Sequence, residues 1–458
     1  MDMRVAPSPP AVTRMSLRQH IRRTMALAVP VMLARAGLII MMTVGTVMVG
    51  QAGPHELAWF AISLAPQNMM LVIGIGLLIG GAVLTAQADG ARRSEQCGRI
   101  WKQTMIVAAC VGLAYAVALQ WSEAILLGLG QAPEIAAGGG RVLRQFAAGM
   151  PPILLFVACS GFLEGIGRPK PGMIVALAIN LVNAFLCWLL IFGHWGLPAL
   201  GAEGAAIAAT IARWLMVAAI VGYILTMKDG AHYGVRLPLA GYHGGIVKQL
   251  RLGLPLAVAA GLETSAFGAA AIFAGWLGEA PLAAFQIALN VCTLAFMLTL
   301  GVSTAAGVRV ANAIGRQDRI GMKRAGWSAA GVIATLMIVA GLFIGLARHW
   351  IAGVYSDNPA VVALAVPTLG VVALLVLFDG LQGVLMGTTR GAADVVVPLT
   401  MHACSFWIIT IPLAYWVVSS TAYGAVGLFW TLFAGLVSAS LLLGYRFNTL
   451  SGRNIRPL

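Results

Sequence analysis

Charged side chains are scarce in this chain. Asp, Glu, Lys and Arg together make up 10% of its 458 residues, whereas hydrophobic residues make up 60%. A soluble globular domain carries roughly 25% charged residues and needs them on its surface. The mean hydropathy of +0.90 points the same way. The composition therefore excludes an ordinary soluble domain and predicts a protein that is built to face lipid.

Cysteine is scarce as well, and the residues that are present stand singly. They contain no CxxC pair, so the sequence indicates neither a disulfide framework nor a zinc site. The six are Cys97, Cys110, Cys159, Cys187, Cys292 and Cys404. His402 is the histidine that lies inside an apolar run, and the sequence shows neither a partner for it nor a nucleophile. We therefore predict that the protein is not an enzyme and has no cofactor.

Long apolar runs occupy most of the chain. A helix needs about 20 apolar residues to cross the roughly 30 Å hydrocarbon core of a bilayer. Breakers such as Gly53-Pro54 separate runs of this length. The sequence thus predicts an all-α polytopic membrane protein with twelve transmembrane helices. The predicted spans are 24–50, 57–86, 101–121, 142–164, 171–192, 200–226, 250–276, 281–308, 325–347, 360–388, 395–418 and 423–446.

Basic residues gather on alternate connections between these spans. They cluster in the tail before residue 24, near 92–102, 168–170, 228–251 and 309–324, and again after the last span. By the positive-inside rule this side faces the cytoplasm, which places both termini there, in a bacterial-type inner membrane. The same asymmetry explains the net charge of +14. We therefore predict contact with membrane lipid and no nucleic-acid partner.

The chain contains a tandem repeat. A shift of 225 residues places Pro30 on Pro255 and Gly90 on Gly315. Because each half has six spans, both halves enter the membrane from the same side, and two pseudo-symmetric six-helix bundles result. Parallel repeats of this kind are a transporter architecture. The predicted organisation is an N-terminal tail (1–23), a first lobe (24–228), a linker (229–245), a second lobe (246–446) and a C-terminal tail (447–458).

Two carboxylates, Glu263 and Asp379, interrupt apolar runs of the second half. A charge at such depth is costly unless it is protonated, paired or bound to a cation, so an intramembrane acid usually marks an ion pathway. The shift of 225 residues places Leu38 at the position that corresponds to Glu263, and the slightly smaller shift that applies to the later spans places Val157 at the position that corresponds to Asp379. A purely architectural acid should occur in both halves, and these occur in one. The pattern therefore predicts a cation-coupling role for the two acids.

Two stretches of the second half carry a distinctive pattern. The first runs through Leu252-Gly-Leu-Pro255, Glu263 and Leu282 to Asn290, and the second through Asp379, Gly383, Gly387 and Arg390. In spacing and residue type they resemble the multidrug and toxic compound extrusion (MATE) transporters, within the wider flippase-like superfamily. The resemblance covers residues 20–446. It implies two bundles around a V-shaped cleft, and export of organic, usually cationic, compounds against inward flow of H⁺ or Na⁺.

The resemblance also assigns roles to individual residues. It implies that Glu263 and Asp379 bind the coupling cation, either H⁺ or Na⁺, and that Gln286 and Asn290 line the same cavity. Many family members have an aspartate in the first helix where this chain has Gly45, so a first-half proton site does not carry over. Further polar candidates for the substrate cavity lie in the first half: Asn68, Asn180, Asn183 and Arg213.

Three alternatives remain open at the level of sequence. Each acid could merely pair with an internal arginine, such as Arg35 or Arg213. A flippase for lipid-linked saccharides would have the same number of helices, but Arg and Lys should line its cleft. A passive channel or receptor-like protein would show no transport driven by an ion gradient. The favoured expectation is a monomeric antiporter for a small organic substrate.

Overall fold

Helices form the core of the computed structural model, which describes residues 17–238, 245–421 and 423–452. Within these ranges the first half contains α1 (Leu17–Ala52), α2 (Pro54–Gly90), α3 (Ser94–Ala118), α4 (Ser122–Gly128), α5 (Pro133–Ala147), α6 (Met150–Gly165), α7 (Lys170–Phe192) and α8 (Gly201–Thr226). The second half contains α9 (Gly245–Trp276), α10 (Glu279–Gly315), α11 (Arg319–Tyr355), α12 (Pro359–Gly391), α13 (Val396–Ala403), α14 (Ile411–Ser420) and α15 (Gly424–Gly452).

The predicted number of membrane spans is confirmed. In the described ranges, 11 helical segments are long and apolar enough to cross a bilayer, and the pair α5 and α6 forms the twelfth span. This span is bent by 45° between Ala147 and Met150, whereas the sequence predicts a continuous one at 142–164. Pro151 and Pro152 explain the bend, because proline lacks the N–H that a helix interior requires.

The eleventh span is irregular at its centre. A π-helical segment, Cys404–Thr410, joins α13 to α14. Within it the Thr410 hydroxyl donates to the Ser405 carbonyl at 3.0 Å. Segments of this kind inside α-helices are frequent at functional sites. This one begins two residues after His402.

Buried apolar side chains cluster mainly within each half. One cluster draws on α9 to α12 and α15, and in it the rings of Phe285 and Phe429 lie 5.0 Å apart. Another is centred on α2, α3 and α6, where Trp101 and Phe162 lie 5.8 Å apart. This second cluster also includes Leu256 of α9. The first half therefore shares part of its core with the helix that opens the second.

The two halves meet closely through small residues near the basic connections. A Cβ atom added to Gly253 of α9 would overlap the carbonyl oxygen of Leu77 on α2. One added to Gly76 would lie 2.7 Å from the Cα atom of Ala257. Farther along α9, a Cβ on Gly261 would meet no atom within 4 Å. The halves are thus closed against each other on the basic side of the molecule.

Polar bonds fasten α1 to α10 on this same side. Arg309 donates from Nη1 to the His20 carbonyl at 3.0 Å and also to the Thr24 hydroxyl. Its Nη2 lies 2.6 Å from Nδ1 of His20. Since α1 and α10 belong to different halves, Arg309 strengthens the closure.

Candidate cation-binding site

The structure brings the two predicted acids into one region of the second half. Glu263 lies on α9 and Asp379 on α12. Asp379 is only 5% exposed, and the Glu263 side chain is 23% exposed. The charge of Glu263 acts on Asp379, which also interacts electrostatically with Cys292 of α10. The two carboxylates therefore lie within electrostatic range of each other, with Asp379 buried and Glu263 partly exposed.

A histidine without an evident partner in the sequence links the helices that carry these acids. His402 is 1% exposed, and its Nε2 lies 3.4 Å from Oε2 of Glu263. Gln382, three residues after Asp379 on α12, places its Nε2 3.3 Å from Nδ1 of His402. When Gln382 donates to Nδ1, the imidazole carries its proton on Nε2, the atom that faces Glu263. His402 thus belongs to the candidate site.

Aromatic contacts hold His402 in position. The ring of His402 lies 4.8 Å from that of Phe406, in the π-helical segment. From the same segment, Trp407 donates through Nε1 to the Leu262 carbonyl of α9 at 3.2 Å. Leu262 directly precedes the α9 glutamate, so this bond fixes the distance between the histidine and its acidic partner.

Several buried polar atoms near the acids have no hydrogen-bond partner. They include Oε1 of Gln382, Oγ1 of Thr299 and Nε2 of His402. The 3.4 Å contact of His402 with Glu263 is within ion-pair distance but is not aligned as a hydrogen bond. Thr299 packs against α12 at Gly383, close to Asp379 in the chain. Buried polar groups are normally paired, so these atoms mark a place where a proton, ion or water can bind.

The available donors suit a small hard cation. Carboxylate and amide oxygens are the ligands that such ions prefer, and the acids and Gln382 supply both kinds. Within the described ranges, no group of three or more His, Cys, Asp or Glu side chains could hold a metal ion. A bound Na⁺ would therefore depend on Glu263, Asp379 and the Gln382 oxygen. A proton would need only one carboxylate or the His402 ring.

The resemblance predicts that Gln286 and Asn290 line the same cavity as the acids, and this stays a prediction. Both are exposed on one face of α10, where Asn290 donates through Nδ2 to the Gln286 carbonyl at 3.1 Å. In the part of the chain that the structure describes, neither side chain forms a hydrogen bond with Glu263 or Asp379. Their exposed side chains can contact a molecule outside the second-half bundle, but in the described ranges they form no hydrogen bond with either acid.

The structure separates the four polar candidates of the first half. Asn183 and Arg213 line an internal cavity of that half. Asn180 is not part of its lining, and its amide bonds to the backbone of its own helix. Asn68 is exposed, and the preceding residue, Gln67, lines the cavity instead. Asn68 and Asn180 are therefore not part of this cavity's lining, and their role in binding substrate stays a prediction.

The described residues do not support the alternative in which arginines neutralise the two acids. The ion pairs that arginine forms among them are Arg141–Glu203, Arg168–Asp229 and Arg446–Asp394. Arg35 interacts electrostatically with Glu164 of α6. Arg213 has no acidic partner in the described ranges. In the part of the chain that the structure describes, His402 is thus the one basic residue that pairs with either acid.

Sequence comparisons give relatives along the whole chain. The MatE family matches residues 30–189 and 255–416, one segment in each half. The chain is 32% identical over 429 residues to the probable multidrug resistance protein NorM of Caulobacter vibrioides, covering 93% of this chain and 91% of that protein. It is 33% identical over 458 residues to the multidrug resistance protein NorM of Burkholderia vietnamiensis, covering 97% and 96%.

Solved structures share the fold. The TM-score is 0.87 with the eukaryotic MATE transporter AtDTX14, at 20% identity, covering 95% of this chain and 98% of that one. It is 0.86 with an outward-facing multidrug resistance MATE family transporter, at 20% identity, covering 95% and 97%. The membrane-spanning helices, the family match and the relatives, which are named multidrug resistance proteins, show an integral membrane transporter and not an enzyme. The chain belongs to the MatE family, as the two matched segments and the relatives at about one-third identity show.

Proposed function

We propose that the protein is a secondary-active antiporter that exports organic cations in exchange for H⁺ or Na⁺. The observation that carries this proposal is the pair of Glu263 and Asp379, which interact electrostatically and form no ion pair with arginine in the described ranges. The relatives from Caulobacter vibrioides and Burkholderia vietnamiensis are named multidrug resistance proteins, which agrees with drug-like organic cargo.

Two close carboxylates favour the uptake of positive charge. When both are ionised they repel each other, and each has lost hydration, so one bound cation relieves both penalties. An organic cation bound at this site reduces the same repulsion and the same desolvation cost as H⁺ or Na⁺ does. Binding of one cation must therefore weaken binding of the other by the same factor. Competition for shared carboxylates makes the two fluxes opposite in direction.

His402 extends the acid pair with a ring nitrogen that can donate or accept a proton. Its Nε2 faces Glu263 at 3.4 Å, and Gln382 holds the opposite ring nitrogen. A proton can pass between imidazole and carboxylate along this contact. This arrangement favours H⁺ as the coupling ion.

The closure of the halves on the basic side is consistent with export as the proposed transport direction. Contacts such as Gly253 with Leu77 seal the basic side, which leaves the opposite side for the entry of ions and the release of cargo. In the proposed orientation the basic side is cytoplasmic, both termini lie there, and the protein acts as a monomer in the inner membrane. A cation that enters from outside then displaces the cargo outward.

Neutral variants of the two acids test this function. Glu263→Gln and Asp379→Asn are compared with wild type and with Glu279→Gln, an exposed glutamate at the start of α10. Each protein is reconstituted into vesicles with a fluorescent organic cation, and H⁺ and Na⁺ gradients are imposed separately. Wild type and Glu279→Gln should transport under at least one gradient, and both acid variants should lose this transport.

The outcomes separate the candidate functions. Wild-type transport by both acid variants would contradict the proposal. Absence of any gradient-driven transport by wild type would favour a passive channel. The gradient that drives wild type identifies the coupling ion.

A further inference from the structure

The first half encloses a cavity that the second-half acid site does not use. It lies among α1, α2 and α5 to α8 and has a volume of about 70 Å³. At about 10–15 Å³ for each water-sized molecule, this space holds several waters or one small ion. Its lining is mostly apolar, but Arg213, Gln67 and Asn183 also contribute to it.

Arg213 is a buried cation that has no counter-ion among residues 17–238, 245–421 and 423–452. It is 5% exposed, its Nη1 donates to the Gly149 carbonyl at 3.4 Å, and its guanidinium lies 5.4 Å from the centre of the Phe146 ring. The nearest acid on α8 is Glu203, ten residues away, or about 15 Å along the helix. Glu203 is already paired with Arg141 at 2.9 Å. An unpaired buried charge is strongly unfavourable, so a negative partner from elsewhere would stabilise it.

Unpaired amides in the same cavity provide a second, independent observation. Gln67 is 0% exposed, and neither its Nε2 nor its Oε1 has a hydrogen-bond partner. The Oδ1 of Asn183 is also buried without a partner, while the Asn183 amide interacts with the thiol of Cys187. Buried amides are normally satisfied. Among the described residues the Gln67 amide therefore has an unused N–H donor, and it lines the same cavity as the Arg213 guanidinium.

We propose that this cavity binds a monovalent anion, either an inorganic halide or the carboxylate group of a ligand. Arg213 provides the charge and Gln67 the neutral N–H donor. A guanidinium is the side chain best suited to carboxylates and other oxyanions, and it cannot lose its charge to escape burial. No Asp or Glu belongs to the described lining, which leaves the negative position to a bound anion.

Bromide is the probe for this site. The full-length protein is purified in detergent, and bromide replaces the bulky anion of a morpholinoethanesulfonate buffer, which has no carboxylate, at constant Na⁺ and ionic strength while thermal unfolding is followed. For wild type we expect saturable stabilisation, with the folded-to-unfolded ratio rising about tenfold at nine times the dissociation constant. Arg213→Met should abolish this response. Arg141→Met, which removes an exposed arginine of α5, should keep it.

Two further measurements test the proposal even if the Arg213→Met variant does not fold. Gln67→Leu retains the charge and removes one donor, so it should require a several-fold higher bromide concentration. Crystals of wild type grown in bromide should show an anomalous peak beside the Arg213 guanidinium. Absence of a saturable bromide response in wild type, an equal response in Arg213→Met, or an anomalous peak only elsewhere would overturn the proposal.

Benzoate and benzyl alcohol distinguish the two sources of the anion. If benzoate competes with bromide and benzyl alcohol does not, the site accepts a ligand carboxylate. If bromide binds and benzoate does not compete, the site takes an inorganic anion. Both results support an anion site, and neither depends on whether the second-half acids couple transport.

Discussion

The contact between Glu263 and His402 allows a quantitative prediction about the candidate site. The atoms Oε2 and Nε2 are 3.4 Å apart. At an effective dielectric constant of about 20, opposite unit charges at this distance attract by at most about 5 kcal/mol. Desolvation of a nearly inaccessible imidazole opposes that attraction. We therefore expect a net coupling of about 1–3 kcal/mol, which corresponds to roughly a 5- to 150-fold effect on affinity.

A double-mutant cycle measures this coupling. The affinity of a fluorescent organic cation is determined for wild type, Glu263→Gln, His402→Gln and the double variant in detergent. His402→Gln should change the affinity strongly when Glu263 is present and only weakly in the Glu263→Gln background, because the two side chains act through one site. His349→Gln, which changes an exposed histidine of α11, should leave the affinity unchanged. Additive effects within about 0.3–0.5 kcal/mol would refute the reasoning.

Three further substitutions test other parts of the structure. Gly45→Asp places a carboxylate in the cavity that Arg213 lines, so it should abolish the bromide response. Gly45→Asn, whose side chain has nearly the same shape as Asp but no charge, should retain the response. Equal loss in both variants would contradict the counter-ion argument. Gly253→Ala should lower the melting temperature, because overpacking costs about 1–3 kcal/mol. Gly261→Ala on the same helix should not lower it, since open space surrounds that position. Burial raises the pKa of Tyr233, which lies in the connection after α8, above its value in the unfolded chain. The folded state therefore favours the neutral phenol. The resulting stabilisation is complete below the unfolded pKa of about 10 and is lost as the pH rises further. Tyr233→Phe should therefore slow thermal inactivation at pH values above about 10 but not near neutrality; identical profiles for variant and wild type would contradict this.

Hydropathy alone predicts the spans well because lipid imposes a simple requirement on helix length and composition. It does not predict where a span bends. Gly149 and the two prolines after it mark the break between α5 and α6, but the apolar composition of 142–164 hides it. The hydropathy pattern likewise does not predict the π-helical segment after α13, because its residues are ordinary apolar and small polar ones.

The two acids of the site could be predicted because an ionisable group in an apolar run stands out by itself. His402 is also recognisable in its apolar run, but its role depends on a contact with Glu263 of α9, which lies more than 130 residues earlier in the sequence. Asn68 and Gln67 show a second limit. Adjacent helical residues point about 100° apart, so a polar side chain in a span does not reveal which face it occupies. Packing places Gln67 inside and Asn68 outside.

The most direct test of antiport is the release of the bound ion when cargo binds. Purified protein in weakly buffered detergent solution is mixed with tetraphenylphosphonium while an indicator dye and a sodium electrode follow free H⁺ and Na⁺. We predict that wild type releases about one of these ions for each organic cation bound, because the cargo and the ion compete for the same carboxylates. The Glu263→Gln, Asp379→Asn double variant should release none. Wild type that binds the organic cation and releases neither ion would contradict the central claim.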